Sequence, residues 1–293
     1  MNLILTVLEI TVPVFALAGI GYAWVRLGFD YPLQFVTRLA MTLGVPCLIF
    51  VALMQTEVDP TALATLSLAA LAAHGLIILA FWAVVSGLRL DRSTFLAPLS
   101  FGNTGNLGMP LALFAFGEVG LGYAVVVFAV SAILSFTIGL WLIAGQGSLG
   151  RVLREPLVWA TLLGALFLSQ GWQTPPVITN TISLIGQLGI PLMLITLGVA
   201  IARITPRGVA QALWLSVVKT ALCAAIGWAM ATWFALPPVA AAVLIVQMAA
   251  PVPVTSYLLT TKYGSNPDAV AGLVVVSTLM SVLTLPLILA LVI

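Results

Sequence analysis

The residues of this chain best suited to chemistry lie in two short stretches of otherwise apolar sequence. Phe101-Gly-Asn-Thr-Gly-Asn-Leu-Gly-Met-Pro110 gathers three glycines, two asparagines, a threonine and a proline inside a hydrophobic run, and Gln247-Met-Ala-Ala-Pro-Val-Pro253 interrupts a second run in the same way. Glycine is about 1 kcal/mol and proline about 3 kcal/mol worse than alanine in a helix interior. Pro251 and Pro253 also lack the N–H that a helix needs. Both stretches therefore break helices. A break exposes helix-end N–H groups, which together with the helix dipole attract negative charge. Asn103, Thr104 and Asn106 add side-chain donors and acceptors. The chemistry that fits is the binding of a small anionic group without a full protein charge. The candidate binding residues are Asn103, Thr104, Gly105, Asn106 and Pro110 in the first stretch, and Gln247, Pro251 and Pro253 in the second.

Covalent catalysis finds no support in the same residues. The chain has one histidine, no His-Glu-x-x-His and no Gly-x-Ser-x-Gly. Gly102, Gly105 and Gly108 follow no strand and precede no phosphate-loop lysine, which argues against a nucleotide site. Cys47 and Cys223 sit in apolar surroundings with no metal-ligand spacing, as buried small hydrophobes do. No enzyme activity, cofactor, metal or nucleic-acid partner is expected.

The elements that must hold these residues are set by composition. The chain is 62% hydrophobic and 6% charged, with a mean hydropathy of +1.23. A soluble domain carries roughly 25% charged residues, so this surface must face lipid. A helix needs about 20 apolar residues to cross about 30 Å of hydrocarbon. The apolar runs give ten spans, near 4–25, 35–54, 62–88, 94–116, 120–143, 156–171, 176–202, 209–235, 238–261 and 268–292. The sixth is short. The first has no basic leader region and no small-residue cleavage site, so it reads as a retained span. The two breaks fall inside spans four and nine. Unsatisfied backbone groups in hydrocarbon cost several kcal/mol, so both breaks must be buried in protein or line a cavity.

The cations fix an orientation. Arg26 and Arg38 lie between spans one and two, Arg89 and Arg92 after span three, Arg151 and Arg154 after span five, Arg203 and Arg207 after span seven, and Lys262 at the end of span nine. The intervening loops carry only Glu57, Asp59 and Glu118, or no charge. This alternation puts the basic loops in the cytoplasm of a bacterial inner membrane and both termini on the other side. The eight tryptophans read mostly as interface anchors.

Short matches recur at a constant offset. Leu43-Gly-Val-Pro46 corresponds to Leu188-Gly-Ile-Pro191, and Ser131-Ala-Ile-Leu-Ser135 to Ser277-Thr-Leu-Met-Ser281, 145 and 146 residues apart. Two halves of five spans, 1–145 and 146–293, follow. Five is odd, so the second half is inverted, with the paired breaks at a midplane site. The same offset pairs His74 in span three with Lys219 in span eight. Intramembrane ionisable groups are costly and usually functional. His74 is read as a proton carrier, a substrate-facing group or a hydrogen-bonded packing residue. Lys219 is read as offsetting the charge of a bound anion, as standing where a membrane protein could otherwise hold a cation, or as a snorkelling residue. Glu9 reads as an interface residue, and Ser131, Ser135, Ser277, Thr278 and Ser281 as hydrogen-bonding between helices.

These motifs resemble the auxin efflux carrier family, which includes plant carriers and bacterial malate or malonate permeases. The resemblance runs over nearly the full length: Val36 to Phe50, Gly102 to Pro110, Gly189 to Gly198, and Met248 to Pro286 with Lys262-Tyr-Gly264. It implies an all-α, ten-helix inverted repeat with two broken crossover helices. Spans one, two, six and seven would form a scaffold and homodimer interface. Spans three to five and eight to ten would form a transport domain that slides as an elevator. It also implies that a crossover asparagine, Asn103 or Asn106, contacts a substrate carboxylate. The resulting expectation is a secondary transporter or facilitator of small organic anions. A channel-like anion pore and a transporter of a non-anionic solute are the alternatives.

Overall fold

The computed structural model of the chain describes residues 3–56, 58–144, 156–206, 208–263 and 266–293. Arg151, Arg154, Arg207, Glu57 and Gly264, on which parts of the sequence reading rest, lie outside the described residues. Every regular element among the described residues is helical. In chain order they are α1 (Leu3–Arg26), α2 (Leu33–Gln55), α3 (Pro60–Gly87) and α4 (Arg92–Ser100), then α5 (104–116) and α6 (118–144). After these come α7 (Pro156–Gln170), α8 (Pro176–Arg203), α9 (Val209–Trp233), α10 (Pro238–Met248), α11 (Val254–Tyr263) and α12 (Pro267–Val292).

Seven stretches among the described residues are long and apolar enough to cross a membrane: α1 from Leu5, α2, α3 from Thr61, the 52-residue run Arg92–Ile143, α8, α9 and α12. α7 and α10 are shorter apolar helices. The 52-residue run is not one rod. It is interrupted at residues 101–103 and again at Gly117, whose φ of 64° and ψ of −154° separate α5 from α6. That conformation is open to glycine and closed to nearly all other residues.

Helix starts follow their capping chemistry. Asp59 accepts from the Thr61 N–H at 2.9 Å ahead of Pro60. Asp91 accepts from the Thr94 N–H at 2.8 Å, and Asn266 from the Ala269 N–H at 3.2 Å ahead of Pro267. Each cap satisfies an orphan amide, and each proline sits where no N–H is needed. The Thr94 hydroxyl, together with the Ser93 hydroxyl and the first-turn amides, holds the Asp91 carboxyl below the usual carboxylate range despite slight burial.

Three helices carry a single π-turn: Ala40–Gly44 in α2, Thr104–Gly108 leading α5, and Ser135–Gly139 in α6. In α2 the cause is local. Pro46 has no N–H for the Thr42 carbonyl, and the Val45 N–H bonds Ala40 O, five residues back.

The helices fall into two packed sets. α1 runs along the second half of α8, while α2 packs on α7 and the first half of α8. In the other set α9 packs on α10, α12 and α3, α3 on α4 and α6, and α11 on α12. Within the first set α2 and α8 approach at Gly44 and Gly189, where a Cβ on Gly44 would lie 3.1 Å from the Gly189 Cα. All eight tryptophans lie on the outer surface, none in the core.

Candidate functional site

α4 ends at Ser100, and the chain then runs extended through Phe101–Asn103. α10 ends at Met248, and the chain stays irregular until α11 begins at Val254. The two breaks touch. The Asn103 N–H donates to Pro251 O at 2.7 Å. A Cβ on Gly102 would stand 3.1 Å from Ala250 O, so glycine is what allows the two backbones to meet. Freed backbone groups are taken up locally. Asn103 O accepts from the Leu107 and Gly108 N–H groups at 3.2 Å each, and the Val252 N–H donates to Ser277 Oγ at 3.0 Å.

Beside the breaks is a cavity of about 140 Å³. One wall is Phe101 to Asn106 with Pro253, Val254 and Thr255, that is, both breaks and the N-terminal turns of α5 and α11. A second is Phe128, Ser131, Ala132, Ser135 and Phe136 of α6. The facing wall is Thr37 and Met41 of α2, Leu157 of α7, and Met193, Thr196, Leu197 and Ala200 of α8. Two half-helix N-termini thus open on one space, while the C-terminal ends of α4 and α10 do not line it. All three π-turns contribute to the walls, through Met41, through Thr104 to Asn106, and through Ser135 and Phe136. No side chain in the lining carries a formal charge.

Asn103 is the polar centre of the site. Its Oδ1 accepts the Asn106 N–H at 3.3 Å and so caps the first turn of α5. Its Nδ2 is buried and has no partner among the described residues. A buried unsatisfied donor costs about 1–3 kcal/mol, so it is a standing invitation to an acceptor. Thr104 and Gly105 are buried beside it, and Asn106 is half-buried.

Of the residues expected from sequence, Asn103, Thr104, Gly105, Asn106 and Pro253 line the cavity. The others stand behind it. Pro251 offers its carbonyl to Asn103, and Pro110 is buried in α5. Gln247 is fully buried, donates from Nε2 to Ala124 O at 3.1 Å, and keeps Oε1 unpartnered. A Cβ on Gly108 would strike that Oε1, at 2.3 Å. His74 is one residue removed from the cavity. Its Nδ1 lies 2.8 Å from Ala70 O, which can only accept, so Nδ1 carries a proton. Its Nε2 is 2.8 Å from the Oγ of Ser131, a wall residue. Lys219 is buried in α9, with Nζ 4.0 Å from Cys223 Sγ and no carboxylate partner among the described residues.

Sequence reasoning missed the facing wall and α6. Thr37, Met41, Met193 and Thr196 carry no polar clustering or break of their own, and only the fold brings α2 and α8 opposite Asn103. The available signal was Pro46, which dictates the π-turn that presents Met41. Ser131, expected to hydrogen-bond between helices, does so with His74, and together with Ser135 it also lines the cavity.

The sequence model of the family described as "Membrane transport protein" matches residues 6–152 and 148–289. Across 95% of this chain and 96% of its own length, a Methanothermobacter thermautotrophicus protein named "Uncharacterized transporter" is 25% identical. A Rhizobium meliloti protein named "Putative malonate transporter" is 23% identical over 94% of this chain and 92% of its own length. The matched residues cover both breaks and nearly all of the chain, and the chain therefore belongs to the membrane transport protein family, the auxin efflux carrier family that its motifs resemble.

Proposed function

We propose that this membrane transporter carries small organic anions, mono- or dicarboxylates, by alternating access. The observation that carries this reading is the unpartnered Asn103 Nδ2, buried in the cavity wall between two half-helix N-termini. A carboxylate there would meet one side-chain donor and two positive dipole ends, in a site without a fixed cation to hold it too tightly. The name of the Rhizobium relative points the same way.

In this reading the chain crosses the membrane ten times, as two inverted halves of five spans. A continuous 52-residue run would be about 78 Å long, more than twice the hydrocarbon thickness, so its break at Gly117 supports two crossings. α7 adds one more, and α10 with α11 another. Inversion is supported by Gly44 against Gly189, since residues related by a two-fold axis meet at that axis. The pairing of α1 with α8 and of α2 with α7 supports it too, because these pairs exchange under the 145-residue offset. α1, α2, α7 and α8 are the scaffold, through which two copies form a homodimer. The remaining helices move as an elevator. Both termini lie outside a bacterial inner membrane, and the basic loops inside.

The test is thermal stabilisation of purified protein against malonate, malate, acetate and indole-3-acetate, with and without sodium and at two pH values. A ligand that binds only the folded state must raise its apparent stability. A shift with a carboxylate that Asn103→Ala abolishes supports the reading. No shift with any of these anions, in protein shown to be folded, refutes it.

A further inference from the structure

A second cavity, of about 590 Å³, opens at the opposite ends of the helices that form the first. It is lined by Gln55 and Thr56 at the end of α2, by Glu118 just past the Gly117 turn, and by Ser183 and Gln187 in the first half of α8. Along α2, Thr37 in one cavity and Thr56 in the other are 19 residues apart, about 28 Å of helix rise. Ile190 of the second cavity's wall and Leu197 of the first's belong to one buried apolar cluster with Leu107, Leu111 and Leu194.

Charge divides between the two ends. Among the described residues the end of the first cavity carries Arg26, Arg38, Arg89, Arg92 and Arg203, with Asp30, Asp91 and Asp268. The end of the second carries Glu9, Asp59 and Glu118 and no cation. Membrane insertion accounts for the arginines but not for the acids, because the topology rule counts Lys and Arg and depends little on Asp or Glu. Glu118 in particular is set in the wall of a largely apolar vestibule whose other lining residues carry no charge. A carboxylate there depletes anions from the vestibule, and low-dielectric walls strengthen the effect.

We propose that Glu118 determines sidedness: its carboxylate opposes entry of organic anions from the arginine-free end, so that the apparent affinity for substrate is weaker at that face than at the arginine-rich face. This rests on the organic-anion reading above. A dianion about 7 Å from a single carboxylate is depleted roughly two- to fourfold at ionic strengths of about 0.03–0.15 M, and hardly at all once the Debye length falls to about 3 Å in 1 M salt.

The experiment measures labelled malonate flux in right-side-out and inverted vesicles from cells expressing the protein, with flux in vesicles lacking it subtracted. The readout is the ratio of the apparent KM at the arginine-free face to that at the arginine-rich face. In low salt the wild-type ratio exceeds one. Glu118→Gln lowers it about two- to fourfold, Glu118→Lys lowers it further, and 1 M KCl removes the difference. A ratio unchanged in both variants, or changed equally at low and high salt, overturns the proposal while leaving the anion reading intact. Absence of malonate, malate, acetate and indole-3-acetate flux through folded wild-type protein overturns the anion reading itself, and the proposal with it.

Discussion

Replacing Asn103 separates two jobs held by one side chain. Its Oδ1 caps α5 through the Asn106 N–H, and its unpartnered Nδ2 is the donor assigned to substrate. Asn103→Ala loses both. A hydrogen bond to a charged group is worth about 1.5–3 kcal/mol, so at 1.36 kcal/mol per decade the apparent affinity for malonate should fall roughly 10- to 150-fold. The missing cap should cost about 0.5–2 kcal/mol of stability as well. Asn103→Asp keeps the acceptor and the cap but presents a negative charge where the donor stood. It should lose more transport than alanine does, and it should also lower the unfolding midpoint, because the new carboxylate oxygen is buried without a partner. The assays are labelled malonate uptake into proteoliposomes and thermal unfolding in detergent, run on the same preparations. Uptake through Asn103→Asp at the wild-type level would refute the assignment. So would an alanine variant whose transport loss matches its fall in folded fraction.

Three further outcomes follow from the packing. A Cβ on Gly198 would sit 1.8 Å from Ala18 O, so Gly198→Ala must push α1 off α8. It should cost at least about 1–3 kcal/mol, read as a lowered unfolding midpoint. Ser131→Ala strips His74 Nε2 of its partner and should cost about 1–3 kcal/mol of stability, whereas Ser131→Thr, which keeps the hydroxyl, should lose less. Asp91→Ala removes the α4 cap and should lower stability by about 0.5–2 kcal/mol at pH 7. Because the folded carboxyl titrates below its unfolded value, the cap's contribution is present above the usual carboxylate pKa of about 3.9. It fades as pH falls through the folded value, so the gap between Asp91→Ala and wild type should close in acid.

The positions of the breaks were legible because their cause is local. Glycine, asparagine and proline gathered at 101–110 and 247–253 disfavour an unbroken helix, and the chain does leave helical geometry at 101–103 and between Met248 and Val254, while Gly105, Asn106, Gly108 and Pro110 fall inside α5. Helix limits were equally plain, since each follows an Asp, Asn or Pro start or an apolar run of membrane length. The facing wall was not legible. Thr37, Met193 and Thr196 acquire their place from how α2 and α8 pack, a property of pairs of helices. His74 shows the middle case. Its cost in the membrane marked it as worth noting, but only the fold reveals that Ser131 stands between it and the cavity.

The π-turns have a consequence for how such a cavity can vary. A π-turn holds one residue more than the α-helix around it needs, and the surplus is absorbed on the spot instead of rotating everything downstream by about 100°. Here the surplus residues sit in Ala40–Gly44, Thr104–Gly108 and Ser135–Gly139, each of which gives at least one residue to the cavity wall. Deleting one codon from any of them would let a helix rewind and draw its wall residues to a new angle, while the rest of that helix kept its face. A lineage of such proteins can therefore reshape this cavity by gaining or losing single residues, without redesigning the bundle that carries it.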